Sequence, residues 1–191
     1  LGLGLSNAHH HADALSVYEA MLSMLRRIDA GIENILAVQS NLAGTYGFLG
    51  RFEECSRLQR DVYSGRLRLN GEEHETTLRA AFNYSNSLCR LQRFEEASSL
   101  LRRMIPVAQR ILKGSHELTL RMRGLYATAR HDDPSATLDD LREAVATLED
   151  VGRVARRVLG GAHPMSKDNE RDLRNARGAL AARLTPPPGS G

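Results

Sequence analysis

The histidines are the first residues in this sequence whose clustering invites a chemical reading. His9, His10 and His11 run together, and imidazole is a common metal ligand. Consecutive residues of a regular helix point in different directions, so the three cannot all face one ion, and no Cys or second His cluster completes a coordination set. The run reads as a solvated near-terminal stretch. His74, His116 and His163 recur with a long sequence period and read as structural groups at turns. Two cysteines, Cys55 and Cys89, are too few for a disulfide scaffold or a multi-cysteine metal site. Cys55 reads as a small buried hydrophobe, and no adjacent base marks Cys89 as a nucleophile. The paired acids Glu53–Glu54 and Glu95–Glu96 open helices, where the macrodipole favours negative charge. There is no phosphate loop, no Gly-x-Ser-x-Gly and no His-Glu-x-x-His. Neither an enzyme, a cofactor nor a metal is expected.

The other polar groups are mainly arginines and asparagines. Of 26 basic residues 24 are Arg, the exceptions being Lys113 and Lys167, and the net charge is +3. That balance is too mild to require nucleic acid. Residues 101–130 carry seven basic and one acidic residue, and residues 131–150 one basic and seven acidic. Salt bridges between helices of the third repeat account for this segregation; a basic face for an acidic peptide or RNA is the alternative. Aromatics make up 5% of the chain and Trp is absent, so platforms for stacking RNA bases are largely missing and nucleic acid is not expected. No run of about eighteen apolar residues exists, which excludes a membrane-spanning helix. The chain begins at Leu1, and Leu1–Leu5 is too short for a signal-peptide core. It is therefore expected to be a segment of a longer, cytoplasmic protein.

Positioning these side chains falls to an internal repeat, the strongest pattern present. Arg51-Phe52-Glu53-Glu54 recurs 42 residues on as Arg93-Phe94-Glu95-Glu96, and His74-Glu75-Thr76-Thr77-Leu78 as His116-Glu117-Leu118-Thr119-Leu120. Leu36, Leu78 and Leu120 form a ladder at the same shift, and Asn41 matches Asn83. Val158–His163 echoes Ile111–His116 at 47 residues, the extra length falling around the turn-rich stretch from His131 to Ser135. Apolar spacing splits each period into two helices. The expected spans are Ile35–Leu49 with Asn34 as N-cap, Phe52–Leu69, Thr77–Leu91, Phe94–Leu112 bent at Pro106, Leu118–Arg130, Ser135–Leu159 and Pro164–Leu184. The organisation expected is a frayed or disordered stretch over 1–11, then an array over 12–184. The array comprises the second helix of a truncated repeat (12–30), repeats at 32–70, 74–113 and 116–159, and a closing helix (164–184). A flexible Pro/Gly tail follows at 185–191.

The run from Asn41 to Cys55, with small residues at Ala43 and Cys55 and aromatics at Tyr46 and Phe52, resembles the helix-turn-helix core of a tetratricopeptide repeat. The 42-residue period and the recurring Gly-x-x-His start are similar to the kinesin light chain-like variety. The resemblance implies an all-α fold, a tetratricopeptide-like right-handed superhelix of stacked antiparallel helix pairs, and a protein-interaction module. In this family the first helix of each pair lines a groove that holds peptides. Asn41 and Asn83 match the groove asparagine of the pattern, Asn86 falls on the next inward turn, and Arg79 and Arg121 match a ligand-facing position. Arg90 lies near the far end of its helix. The implied mechanism is capture of an acidic or polar peptide, with Arg79 and Arg121 on carboxylates and the asparagines on the backbone. The alternative is a structural or adaptor subunit bound through its convex face or array ends, where an uncapped array is also open to self-association.

Overall fold

Apolar residues spaced three and four apart require helices with one buried stripe, and short loops make consecutive helices antiparallel. The structure, a computed structural model, describes residues 2–184, with side chains from His10 onward. Among those residues lie eight helices and no strand: α1 (Gly2–Arg27), α2 (Ile32–Phe48), α3 (Phe52–Asn70), α4 (Glu75–Arg90), α5 (Phe94–Leu112), α6 (Glu117–Asp132), α7 (Leu138–Leu159) and α8 (Pro164–Leu184). The chain divides between Leu91 and Gln92 into two compact units of four helices each. In the first, α1 packs on α2, α2 on α3 and α3 on α4. In the second, α5 packs on α6, α6 on α7 and α7 on α8, and α6 also reaches α8.

The 42-residue ladder is carried by the core. Leu36, Leu78 and Leu120 are all buried, and Ala43, Ser85 and Ala127 have no exposed surface. Small residues at that rung let the helix axes approach closely. Gly65 shows how closely: a Cβ there would stand 2.5 Å from Leu36 Cδ2. Polar contacts keep the same period. Thr77 Oγ1 donates to the Arg66 carbonyl at 3.2 Å, and Thr119 Oγ1 to the Ala108 carbonyl at 3.4 Å.

Helix ends repeat as well. The ring Nδ1 of His74, His116 and His163 accepts the backbone N–H two residues on, at 3.2, 3.2 and 3.3 Å. Each ring thus satisfies a helix N–H that has no partner inside its own helix. Gly50 and Gln92, 42 residues apart, both turn the chain at positive φ, as do Gly71, Lys113 and Gly160.

Several boundaries differ from the expected ones. Asn34 is not an N-cap, because α2 starts earlier, at Ile32, from Gly31 and without a side-chain cap bond. Ile32 stands 42 residues before His74, so the capping imidazole is missing from this repeat. Residues 2–11, expected as frayed, are helical as the start of α1. Helix α7 begins at Leu138 in place of Ser135, since Thr137 and Asp140 form a reciprocal capping box there. Helix α5 has the expected bounds and continues through Pro106. The tail at 185–191 lies outside the described residues.

Candidate functional site

Helices α1 to α4 enclose a groove of about 620 Å³ within the first unit. Helix α4 contributes Asn83, Asn86 and Arg90, spaced so that all three share one helix face. Helix α2 contributes Asn41, Gly44 and Phe48 at the same spacing, each 42 residues before its α4 counterpart. Helix α3 adds Phe52 and Gln59, and α1 adds His11 and Tyr18. The His11 ring stacks on Phe48 with centroids 4.6 Å apart and planes 6° from parallel.

The lining mixes apolar and polar surface, and several of its polar groups are unspent. Among the described residues Asn41, Asn83 and Asn86 make no side-chain hydrogen bond, and the Arg90 guanidinium has no carboxylate partner. Gln59 is only 5% exposed, yet its Oε1 accepts no hydrogen bond. Among the described residues no carboxylate lines the groove. The groove therefore offers amides able to donate and accept, one unpaired cation, and aromatic faces.

Of the six residues singled out by sequence, the structure brings four together here: Asn41, Asn83, Asn86 and Arg90. Arg79 is outside the lining and is held by Glu75 on its own helix at 2.5 Å. Arg121 belongs to the second unit and is held by Glu117 at 2.7 Å. Each of those two arginines thus meets a carboxylate one turn back. Phe48, Gln59, His11 and Tyr18 escaped the sequence reading. Phe48 was traceable, standing 42 residues before Arg90. So was Gln59, which interrupts a position that is Leu101 in the next repeat.

Around the groove the wall is braced. The Tyr46 hydroxyl donates to Glu19 Oε1 at 3.0 Å, tying α2 to α1, and Arg51 lies 4.5 Å above its ring. Burial, and next the bond to Glu19, raise the Tyr46 pKa above its ordinary value. Burial likewise pushes the Cys55 thiol up, which keeps it protonated and a poor nucleophile. Among the described residues no cluster of three His, Cys, Asp or Glu side chains could hold a metal ion.

The second unit spends its charges internally. Arg123 pairs with Asp150 at 2.8 Å, Arg130 pairs with Asp140, and Arg177 pairs with Glu149 at 2.7 Å. These bonds join α6 and α8 to α7, and two of them, from Arg123 and Arg130, link the basic residues 101–130 to the acidic residues 131–150. The Arg123 guanidinium first, and Arg153 beside it, hold the Asp150 carboxyl below its ordinary range. The Thr137 backbone N–H does most of the same for Asp140, with Arg130 adding to it. Burial acts in the opposite direction on Asp172.

Residues 34–110 match the tetratricopeptide repeat family. The fold is similar to the "kinesin light chain nearly identical TPR-like repeats" of Podosopora anserina, seen in two crystal structures, one of a point variant. Their TM-scores are 0.76 and 0.74 at 20% identity, covering 95% of this chain and 85% of those. BtubC (BKLC) from P. vanneervenii is similar at a TM-score of 0.61 and 15% identity, covering 95% of this chain and 78% of that one. A search of the curated proteins gives no match. No helix among the described residues is long and apolar enough to cross a membrane. Residues 34–110 are tetratricopeptide repeats, and the chain has the fold of the kinesin light chain-like repeat arrays.

Proposed function

We propose that the chain is a non-enzymatic protein-interaction module that holds an extended peptide in the groove of its first unit. The observation that carries this is the set of unspent groups there: three asparagine amides and an unpaired Arg90 on one lining without a carboxylate. Amides can pair with a peptide's N–H and C=O, and a guanidinium fork takes a carboxylate bidentately. An acidic or polar segment fits that lining; a basic one meets Arg90 with like charge. An array of acetylated decapeptides varied position by position, probed with the purified chain, tests this. Acidic members should be retained by wild type and lost by Asn83→Ala/Asn86→Ala with its circular dichroism unchanged. Retention by both proteins alike would move the binding surface elsewhere.

A second reading, an assembly subunit bound through an open helix face, has its own observation. Val17, Met21, Met24 and Ile28 make an apolar stripe on α1 and just beyond it, each between 46% and 62% exposed. A shift of 41 places them on Leu58, Val62, Gly65 and Leu69 of α3, where Gly65 lies against Leu36 of α2. The stripe's spacing of four, three and four reads the same in both directions. An antiparallel second copy would therefore set Val17 against Ile28 and Met21 against Met24. Light scattering should then give twice the 21.1 kDa chain mass, reverting to one in Met21→Glu/Met24→Glu. A monomer at all concentrations would end this reading.

A further inference from the structure

Gln59 is poorly explained by packing alone. At the same register of the next repeat stands Leu101, with no exposed surface. Gln59 is 95% buried by the same measure, and its carboxamide oxygen meets no donor among the described residues. An amide buried without partners loses its hydration and gains nothing back, so a leucine would serve the core better. Yet Gln59 lines the groove on which Asn41, Asn83, Asn86 and Arg90 converge. A nearby hydroxyl is already engaged, since Thr45 Oγ1 donates to the Asn41 carbonyl at 3.1 Å. Of the residues that line the groove, Gln59 alone carries a buried oxygen left without a donor among the described residues, enclosed just behind the groove wall.

We propose that Gln59 reads the main chain of the bound peptide: on binding its carboxamide turns toward the groove, so that Oε1, enclosed in the free chain, accepts one backbone N–H of an extended segment while Arg90 holds a side-chain carboxylate of that segment. This rests on the groove reading above and deepens it. An extended peptide presents an unpaired N–H at every residue except proline. Seating one on Gln59 satisfies a buried acceptor and a buried donor together. The groove then rejects proline, or any N-alkylated residue, at one fixed position relative to the acidic side chain. Arg90 imposes no such rule, and the asparagine amides, which can donate to a carbonyl as readily as accept an N–H, do not fix it to one position.

The test uses the best acidic binder from the decapeptide array, resynthesised with a single N-methyl group at each backbone position in turn, and once with its acid as the amide. Binding is read by fluorescence anisotropy on wild type, Gln59→Leu, Gln59→Met and Arg90→Ala. One N-methyl position should weaken wild-type binding about tenfold, the size expected for a donor and acceptor left unpaired. The same methyl should cost the Gln59 variants nothing further. Those variants should bind the unmodified peptide about tenfold more weakly while melting no lower than wild type. The acid-to-amide change should weaken wild type but not Arg90→Ala. An identical N-methyl profile in wild type and both Gln59 variants would overturn the inference and leave the groove reading standing. No acidic binder on the array, or binders indifferent to Asn83→Ala/Asn86→Ala, would remove both.

Discussion

Helices α4 and α6 begin alike and end differently. Both are capped by a histidine ring, both bury a leucine at the same rung, and both pair a first-turn glutamate with an arginine one turn on. In their second halves the register holds Asn83, Asn86 and Arg90 on α4 but Leu125, Thr128 and Asp132 on α6. The α4 groups are unspent and line a groove, whereas α6 ties Arg123 and Arg130 to acids of α7. The first turns of these two leading helices are thus alike, and both keep core residues to their ends. The partly exposed positions beyond the first turn differ, carrying unspent groups over a groove on α4 and ion pairs to α7 on α6.

Several substitutions break or sharpen that contrast, the largest effect first. A Cβ at Gly152 would stand 2.5 Å from Asn169 Nδ2, which donates to the Leu148 carbonyl at 2.9 Å. Gly152→Ala should therefore destabilise the α7–α8 contact by about 2 kcal/mol. Hydrogen exchange should report lost protection in α7 and α8 while α2 and α4 keep theirs. Arg90→Asp gives α4 the residue type that α6 has at that register. It should weaken acidic-peptide binding more than tenfold, read by anisotropy, with stability changed by under about 0.5 kcal/mol.

Acid should act chiefly on the second unit. The folded-state pKa values of Asp140 and Asp150 lie below their ordinary ones. Their contribution is thus complete above the unfolded value, near pH 4, and is lost as pH falls through the folded value. Asp172, raised by burial, has the opposite sign and offsets part of the loss. Urea unfolding at pH 7 and at pH 3.5 should differ by about 1 kcal/mol from these pairs, which are partly solvated. Asp150→Asn should narrow the gap.

The last two effects are smaller. Lys113 holds φ at +74° where the register elsewhere carries Gly71. Lys113→Gly should raise the melting temperature, a gain of about 0.5–1 kcal/mol. Arg79→Ala and Arg121→Ala remove exposed same-helix pairs and should each cost about 0.3 kcal/mol. Neither should alter peptide affinity.

The repeat was legible because it is written in residue identity at a fixed shift: Leu36, Leu78 and Leu120, the histidine caps, and the Arg-Phe-Glu-Glu turns. Helix ends were less so. A cap depends on which backbone N–H a side chain reaches, and Asn34 and Thr137 look equally able in sequence. The groove was legible where the register repeats a residue type, as in Asn41 and Asn83. Arg79 and Arg121 lie outside its lining, which the sequence does not reveal, because a free arginine and one paired with a glutamate of its own helix have the same letter. Their glutamates four residues earlier were the available clue. Gln59 showed only as an oddity, since its unpartnered oxygen emerges from three-dimensional packing.

The most direct test of the contrast is a backbone amide chemical-shift map of the labelled chain titrated with the best acidic decapeptide. The expected result is shifts concentrated in the second halves of α2 and α4, around Asn41, Asn83, Asn86 and Arg90, with α6 and α7 unmoved. Shifts centred on α6, α7 or the α1 stripe, with the α4 residues silent, would contradict it.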